Sequence, residues 1–154
     1  MKEIKRLKYS SIAMCAREIF DINFKNNTAK VDVFVTTLLD GTFEADKELK
    51  GKEAKIVLDK FKQRIGDIDF DKLKEHYDIN SDLFITDSND WKLDITYFDG
   101  TEKHCSGYIV TPKEFKILHD AFYDCFEIEQ KMWAILLTFF VVILYFHLLI
   151  LSFC

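Results

Sequence analysis

The chain has 154 residues, with 21 Lys and Arg against 26 Asp and Glu and a net charge of −5. Affinity for nucleic acid comes largely from cations that neutralise phosphates, so this balance argues against a nucleic-acid partner. All 47 charged residues precede Met132, which divides the chain into a folding unit, residues 1–131, and an uncharged tail, 132–154.

The first apolar run is short and interrupted by charge, so no cleavable signal peptide is expected. Its basic residues, Lys2, Lys5, Arg6 and Lys8, suit a solvated edge strand that lysines protect from further pairing. Of four cysteines, Cys15, Cys105 and Cys125 fall in the folding unit and Cys154 in the tail, with no C-x-x-C pair. That odd number speaks for buried, reduced thiols in a cytoplasmic domain.

Residues 18–24 and 28–39 alternate apolar and polar side chains around Asn26 and Asn27, a turn pair that tolerates positive φ. With those two asparagines as the turn, Phe24 faces Ala29, Ile22 faces Val31 and Phe20 faces Val33. Asp21, Asn23, Lys30 and Asp32 then share the polar face. A second turn at Asp40-Gly41 leads to a strand over 42–48. A three-residue turn with Gly left-handed sets Val35 opposite Ala45 and Thr37 opposite Phe43; a two-residue turn would pair Leu38 with Phe43. The first keeps Val35 on the core face and is preferred.

Ala54, Val57, Leu58, Phe61 and Ile65 recur at helical spacing between Gly51 and Gly66, which predicts a helix over 52–65 that covers the sheet. A shorter helix is expected over 70–77, then a polar loop over 80–90. The Asp99-Gly100 turn joins strands at 91–98 and 101–108, with Leu93 opposite Cys105 and Asp94 opposite His104 on the polar side. Thr111 as N-cap, Pro112 in the first turn and Glu114 as a capping-box partner start the last helix of the unit. Its apolar stripe is Phe115, Leu118, Phe122 and Cys125 or Phe126. Together these predict an α+β fold: an antiparallel sheet of hairpins with two or three helices on one face.

From Met132 to Cys154 fifteen of 23 residues are Leu, Ile, Phe or Val. A helix of this length spans roughly 35 Å, enough for a ~30 Å hydrocarbon core. Insertion is favoured by at most roughly 5 to 9 kcal/mol. The tail is therefore read as one C-terminal transmembrane helix; the alternatives are a buried core helix, disfavoured by the missing polar stripe, and the product of a shifted reading frame. Lys113, Lys116 and Lys131 on its N-terminal side keep the domain in the cytoplasm by the positive-inside rule. His147 in the span is read as a neutral ring near the far interface.

Few residues suggest chemistry. Asp67, Asp69 and Asp71, and again Asp78, Asn80 and Asp82, resemble the start of a calcium loop, but Lys72 or Leu83 stands where Gly is needed and Asp78 or Asn89 where a bidentate Glu is needed. Glu44, Asp46 and Glu48 alternate along one strand and fit an exposed face better than an acid/base pair. His76, His104 and His119 lack metal-ligand spacing, and His104 and Cys105 point to opposite faces of a strand. No catalytic, cofactor-binding or metal-binding residue is assigned.

Residues 91–100 (WKLDITYFDG), then Ser106, Gly107 and Tyr108, then Pro112, Phe115 and Leu118, resemble the C-terminal half of small uncharacterised α+β bacterial domains. The resemblance covers about residues 91–118 and implies strand, D-G turn, strand and Pro-started helix; it implies no activity. An aromatic residue usually precedes the proline in those domains, and here Thr111 stands there. The functional expectation is a membrane-tethered, non-enzymatic binding or accessory module. Its alternatives are an enzyme or immunity-type inhibitor with a site not recognisable from sequence, or a soluble domain with a frameshifted tail.

Overall fold

Alternation of apolar and polar residues dominates the first fifty positions, and in the computed structural model it produces four long strands in succession. Residues 2–37, 41–77 and 90–128 are described. The strands are β1 (Ile4–Ala13), β2 (Ala16–Asn23), β3 (Thr28–Thr37) and β4 (Gly41–Lys50), followed by helix α1 (Gly51–Arg64). A short 3-10 turn (Phe70–Lys72), β5 (His76–Tyr77), β6 (Asp90–Tyr97), β7 (Glu102–Tyr108) and helix α2 (Phe115–Cys125) complete the fold. The seven strands form one sheet in the order β4-β3-β2-β1-β6-β7-β5, antiparallel except for β5 beside β7.

The fold class expected from sequence, α+β with a hairpin-built sheet, is what forms. Inward residues of the sheet, among them Leu7, Tyr9, Phe20, Ile22, Val31, Val33, Leu93 and Ile95, are buried. The helices cover that face with Ala54, Leu58 and Phe61 of α1 and Phe115, Leu118 and Phe122 of α2, as the two stripes predict. Aromatic rings tie the layers together: Phe61 stacks on Phe122 at 5.1 Å, Phe122 on Phe20 at 4.0 Å, and Phe115 meets Trp91 edge-on at 4.4 Å. Such pairs add about 0.5–1.5 kcal/mol each beyond the area they bury.

Local expectations of four kinds are corrected: the place of β1, the registers of two hairpins, residues 70–77 and the start of α2. The basic N-terminal strand is not an edge: β1 is central, paired with β2 on one side and β6 on the other. Arg6 and Lys8 are exposed because they occupy the solvated face of the sheet. In the first hairpin Phe20 faces Val31 and Ile22 faces Ala29, two residues away from the expected register. The turn is longer, with Asn23 paired to Thr28, its Oδ1 accepting from the Asn26 amide at 3.0 Å, and Asn27 at φ 48°. In the second hairpin Val35 faces Phe43 and Val33 faces Ala45, again two residues from the preferred register. Both slips are even, so every side chain stays on its expected face.

The third correction concerns residues 70–77, which form the 3-10 turn and then β5 instead of a helix. Phe70 and Leu73 are buried there, three apart, while His76 and Tyr77 add to the sheet beside Ser106 and Gly107. The fourth concerns the start of α2. No side-chain cap is present at Glu114; a turn in which the Phe115 amide donates to the Pro112 carbonyl at 3.0 Å opens the helix, with Pro112 buried. The third hairpin matches its expectation: Leu93 faces Cys105, Asp94 faces His104, and Gly100 takes φ 86° in the turn.

The C-terminal end of α2 is closed. Glu127 adopts φ 50° and the Ile128 amide donates to the Tyr123 carbonyl at 3.1 Å, a Schellman-type ending with Ile128 buried. From β4, the Lys47 ammonium donates to the Phe126 and Glu127 carbonyls at 2.6 and 3.0 Å, satisfying groups a helix end leaves open. No helix among the described residues is long and apolar enough to cross a membrane. The tail expected to do so, 132–154, and the loop expected over 80–90, up to Asn89, lie outside the described residues.

Candidate functional site

Three features of the domain hold polar groups in defined geometry: the solvated face of the sheet, the polar network under α2, and the outer strand β4.

On the solvated face, alternate residues of neighbouring strands meet as ion pairs. Arg6 clasps Asp21 through two nitrogens at 2.8 and 2.6 Å, and Arg17 meets Asp32 at 3.0 Å. At the β5–β7 side a shallow depression of about 380 Å³ is lined by His76, Lys92, Asp94, His104 and Ser106. His104 lies 2.7 Å from Asp94 and 3.5 Å from Glu102. Hydrogen bonding to Asp94 raises its pKa above the ordinary histidine value. The parallel pairing of β5 with β7 also brings His76 Nδ1 within 3.0 Å of Ser106 Oγ. This pair is solvated, and no carboxylate orients His76 among the described residues, so its geometry lacks the third member that activates a nucleophile.

Beneath α2, Glu18 occupies a core-face position of β2 and is 7% exposed. Its carboxylate accepts a hydrogen bond from the Tyr123 hydroxyl and lies 4.0 Å from His119 Nε2. Tyr9 reaches the same His119 nitrogen at 2.9 Å. Burial, with Glu18 adding to it, pushes the Tyr9 and Tyr123 hydroxyls well above their usual range, which keeps both protonated as donors. Every buried side-chain polar atom among the described residues has a partner. This network pins α2 to β1 and β2. Sequence reasoning missed it, although Glu18 sits in step with Phe20 and Ile22, and Ser11 with Leu7 and Tyr9; acids and hydroxyls in an apolar parity are the signal.

The third feature is β4, whose Thr42, Glu44, Asp46, Glu48 and Lys50 point to solvent while Phe43, Ala45, Lys47 and Leu49 turn toward the helices. The three carboxylates share an exposed face, as expected. The other sequence candidates do not converge. Asp69 pairs with Lys72 at 2.8 Å and Asp71 accepts from the Tyr97 hydroxyl at 3.1 Å. His76 and His104 share the depression beside β7 while His119 lies on α2, and no group of three potential metal ligands occurs among the described residues. Asp78, Asn80, Asp82 and His147 lie outside the described residues. Cys105 and Cys125 are buried, and burial raises both thiols' pKa, which disfavours reactive thiolates. Scans against family models and curated proteins found no match to this chain.

Proposed function

We propose that this chain is a membrane-tethered binding module: a cytoplasmic α+β domain anchored by residues 132–154 and presenting its open sheet to a protein partner. The observation that carries the reading is the junction at Ile128. The helix layer covers the inward face, and α2 ends in a satisfied turn that buries Ile128. After Glu129, Gln130 and Lys131 comes the 23-residue stretch without a charged side chain. Hydrocarbon is the favoured environment for such a segment when the core has no need of it. A tether raises the local concentration of the domain near membrane-bound partners.

Fractionation and thiol labelling test the anchor and its orientation. The full chain should stay in the membrane pellet through alkaline carbonate. An impermeant thiol reagent applied to intact cells or spheroplasts should reach Cys154 and leave Cys15 unlabelled until lysis. Exposed Cys15 then reacts at once, and buried Cys105 and Cys125 only after denaturation. Recovery of the chain in the soluble fraction rejects the anchor; labelling of a Cys154→Ser variant from outside reverses the orientation.

An immunity-type inhibitor of a basic protein is the second reading, favoured by the acidic outer strand β4. It shares the expectation of a stoichiometric protein partner; turnover by the purified protein in a broad substrate screen would instead favour an enzyme.

A further inference from the structure

We propose that β4 is a docking edge to which a partner protein adds a basic, amphipathic β-strand. This rests on the binding-module reading and names the chemistry of the partner. β4 is ten residues long and pairs residue for residue with β3 from Gly41 to Lys50, without a bulge. No described strand lies on its other side. Natural edges are blunted by shortness, proline, bulges, inward-pointing charges or charged side chains along the strand; the outward charges of β4 are mostly acidic, so they turn away acidic strands and leave the edge open to a basic one. β4 is well above the usual ~5–6 residues and has no proline, and its one inward lysine, Lys47, is engaged with the carbonyls ending α2.

Charge defines the occupant. Asp46 stands directly opposite Asp32, and like charges across a strand pair repel. Asp32 has Arg17 at 3.0 Å and Glu48 has Lys50 at 2.8 Å, whereas no cation of the described residues pairs with Glu44 or Asp46. On the inward side Phe43, Ala45 and Leu49 are only partly buried. A strand with Lys or Arg at alternate positions and apolar residues between them would supply the absent cations on one face and cover those apolar groups on the other, while its backbone completes the ladder. A second copy of this chain fits less well: pairing β4 with itself about Asp46 sets Glu44 against Glu48 and Asp46 against Asp46, and pairing about Lys47 still sets Asp46 against Glu48. Segments 78–89 and 132–154 do not fit, since they contain no Lys or Arg.

The test uses the full chain in mild detergent and a ten-residue peptide alternating lysine and valine. The alternating peptide should bind at least tenfold more tightly than one of the same composition with lysines and valines in separate blocks. It should slow amide exchange along β4 and lose binding when N-methylated along one edge. Asp46→Lys should raise the melting temperature, because it places a cation opposite Asp32, and should weaken peptide binding at least tenfold; Glu44→Lys should weaken binding without loss of fold. Equal affinity for the block or N-methylated peptide, protection elsewhere, or no binding overturns the proposal. On native membranes, a partner retained equally by wild type and Asp46→Lys rejects this edge but not the module reading; no partner retained by wild type rejects the module reading itself.

Discussion

At the scale of single residues, the most informative side chains are those whose chemistry contradicts their position. Glu18 is an acid on the core face, and it stays there because the Tyr123 hydroxyl donates to it and His119 stands nearby. A hydrogen bond to a buried charge contributes about 1.5–3 kcal/mol, so Tyr123→Phe should destabilise the domain by about that amount. In a double-mutant cycle with Glu18→Gln most of the loss should be shared; additive losses would show that the two groups act independently. His104 makes the opposite case on the surface. Its folded pKa is raised by Asp94, so the pairing contributes fully below the unfolded value of about 6.5 and fades as pH rises through the raised folded value. The stability gap between wild type and His104→Gln should therefore be wider at pH 5.5 than at pH 8.5. A gap independent of pH would deny the ion pair in solution.

At the scale of elements, the last hairpin and α2 form one packed unit around Trp91. The indole is 1% exposed, donates to the Val110 carbonyl at 2.8 Å and packs closely against Gly107 of β7. A Cβ on Gly107 would fall 2.6 Å from the indole ring, so Gly107→Ala should cost about 1–3 kcal/mol through overpacking. Trp91→Ala and Phe115→Ala should each cost about 3–5 kcal/mol. Denaturant unfolding measures all three; near-neutral values would contradict this packing. The unit's strand, D-G turn and strand lead into α2, with Pro112 placed in a turn just ahead of the helix.

At the scale of the whole molecule, core and tail make separable predictions. The described inward face is closed by α1 and α2, and Ile128 is buried at the end of α2. Residues 1–131 expressed alone should therefore unfold cooperatively and remain a soluble monomer. An aggregated or molten truncation would place 132–154 in the core. The acid-against-acid register of a self-paired β4 points the same way, since it opposes edge-to-edge dimers.

What the sequence alone determined was parity and period. Alternation assigned each strand residue to the solvated or the core face, helical spacing marked the stripes of α1 and α2, and the short Asp99-Gly100 turn matched the register that forms in the third hairpin. Tertiary structure decided what local patterns leave degenerate. A two-residue slip preserves every face, so the registers of the first two hairpins followed from turn geometry and long-range pairing, not from hydrophobicity. The same pairing made β1 central, because β6 returns beside it after more than seventy residues, and recruited His76 and Tyr77 to β7 where local propensity suggested helix. It also assembled the two features of greatest functional interest, the Glu18 network beneath α2 and the unpartnered acidic edge. The network joins Glu18 to Tyr123 across 105 positions, so parity marks a buried acid but not its partners; the alternation of Glu44, Asp46 and Glu48 is local, but its place at the edge of the described sheet is not.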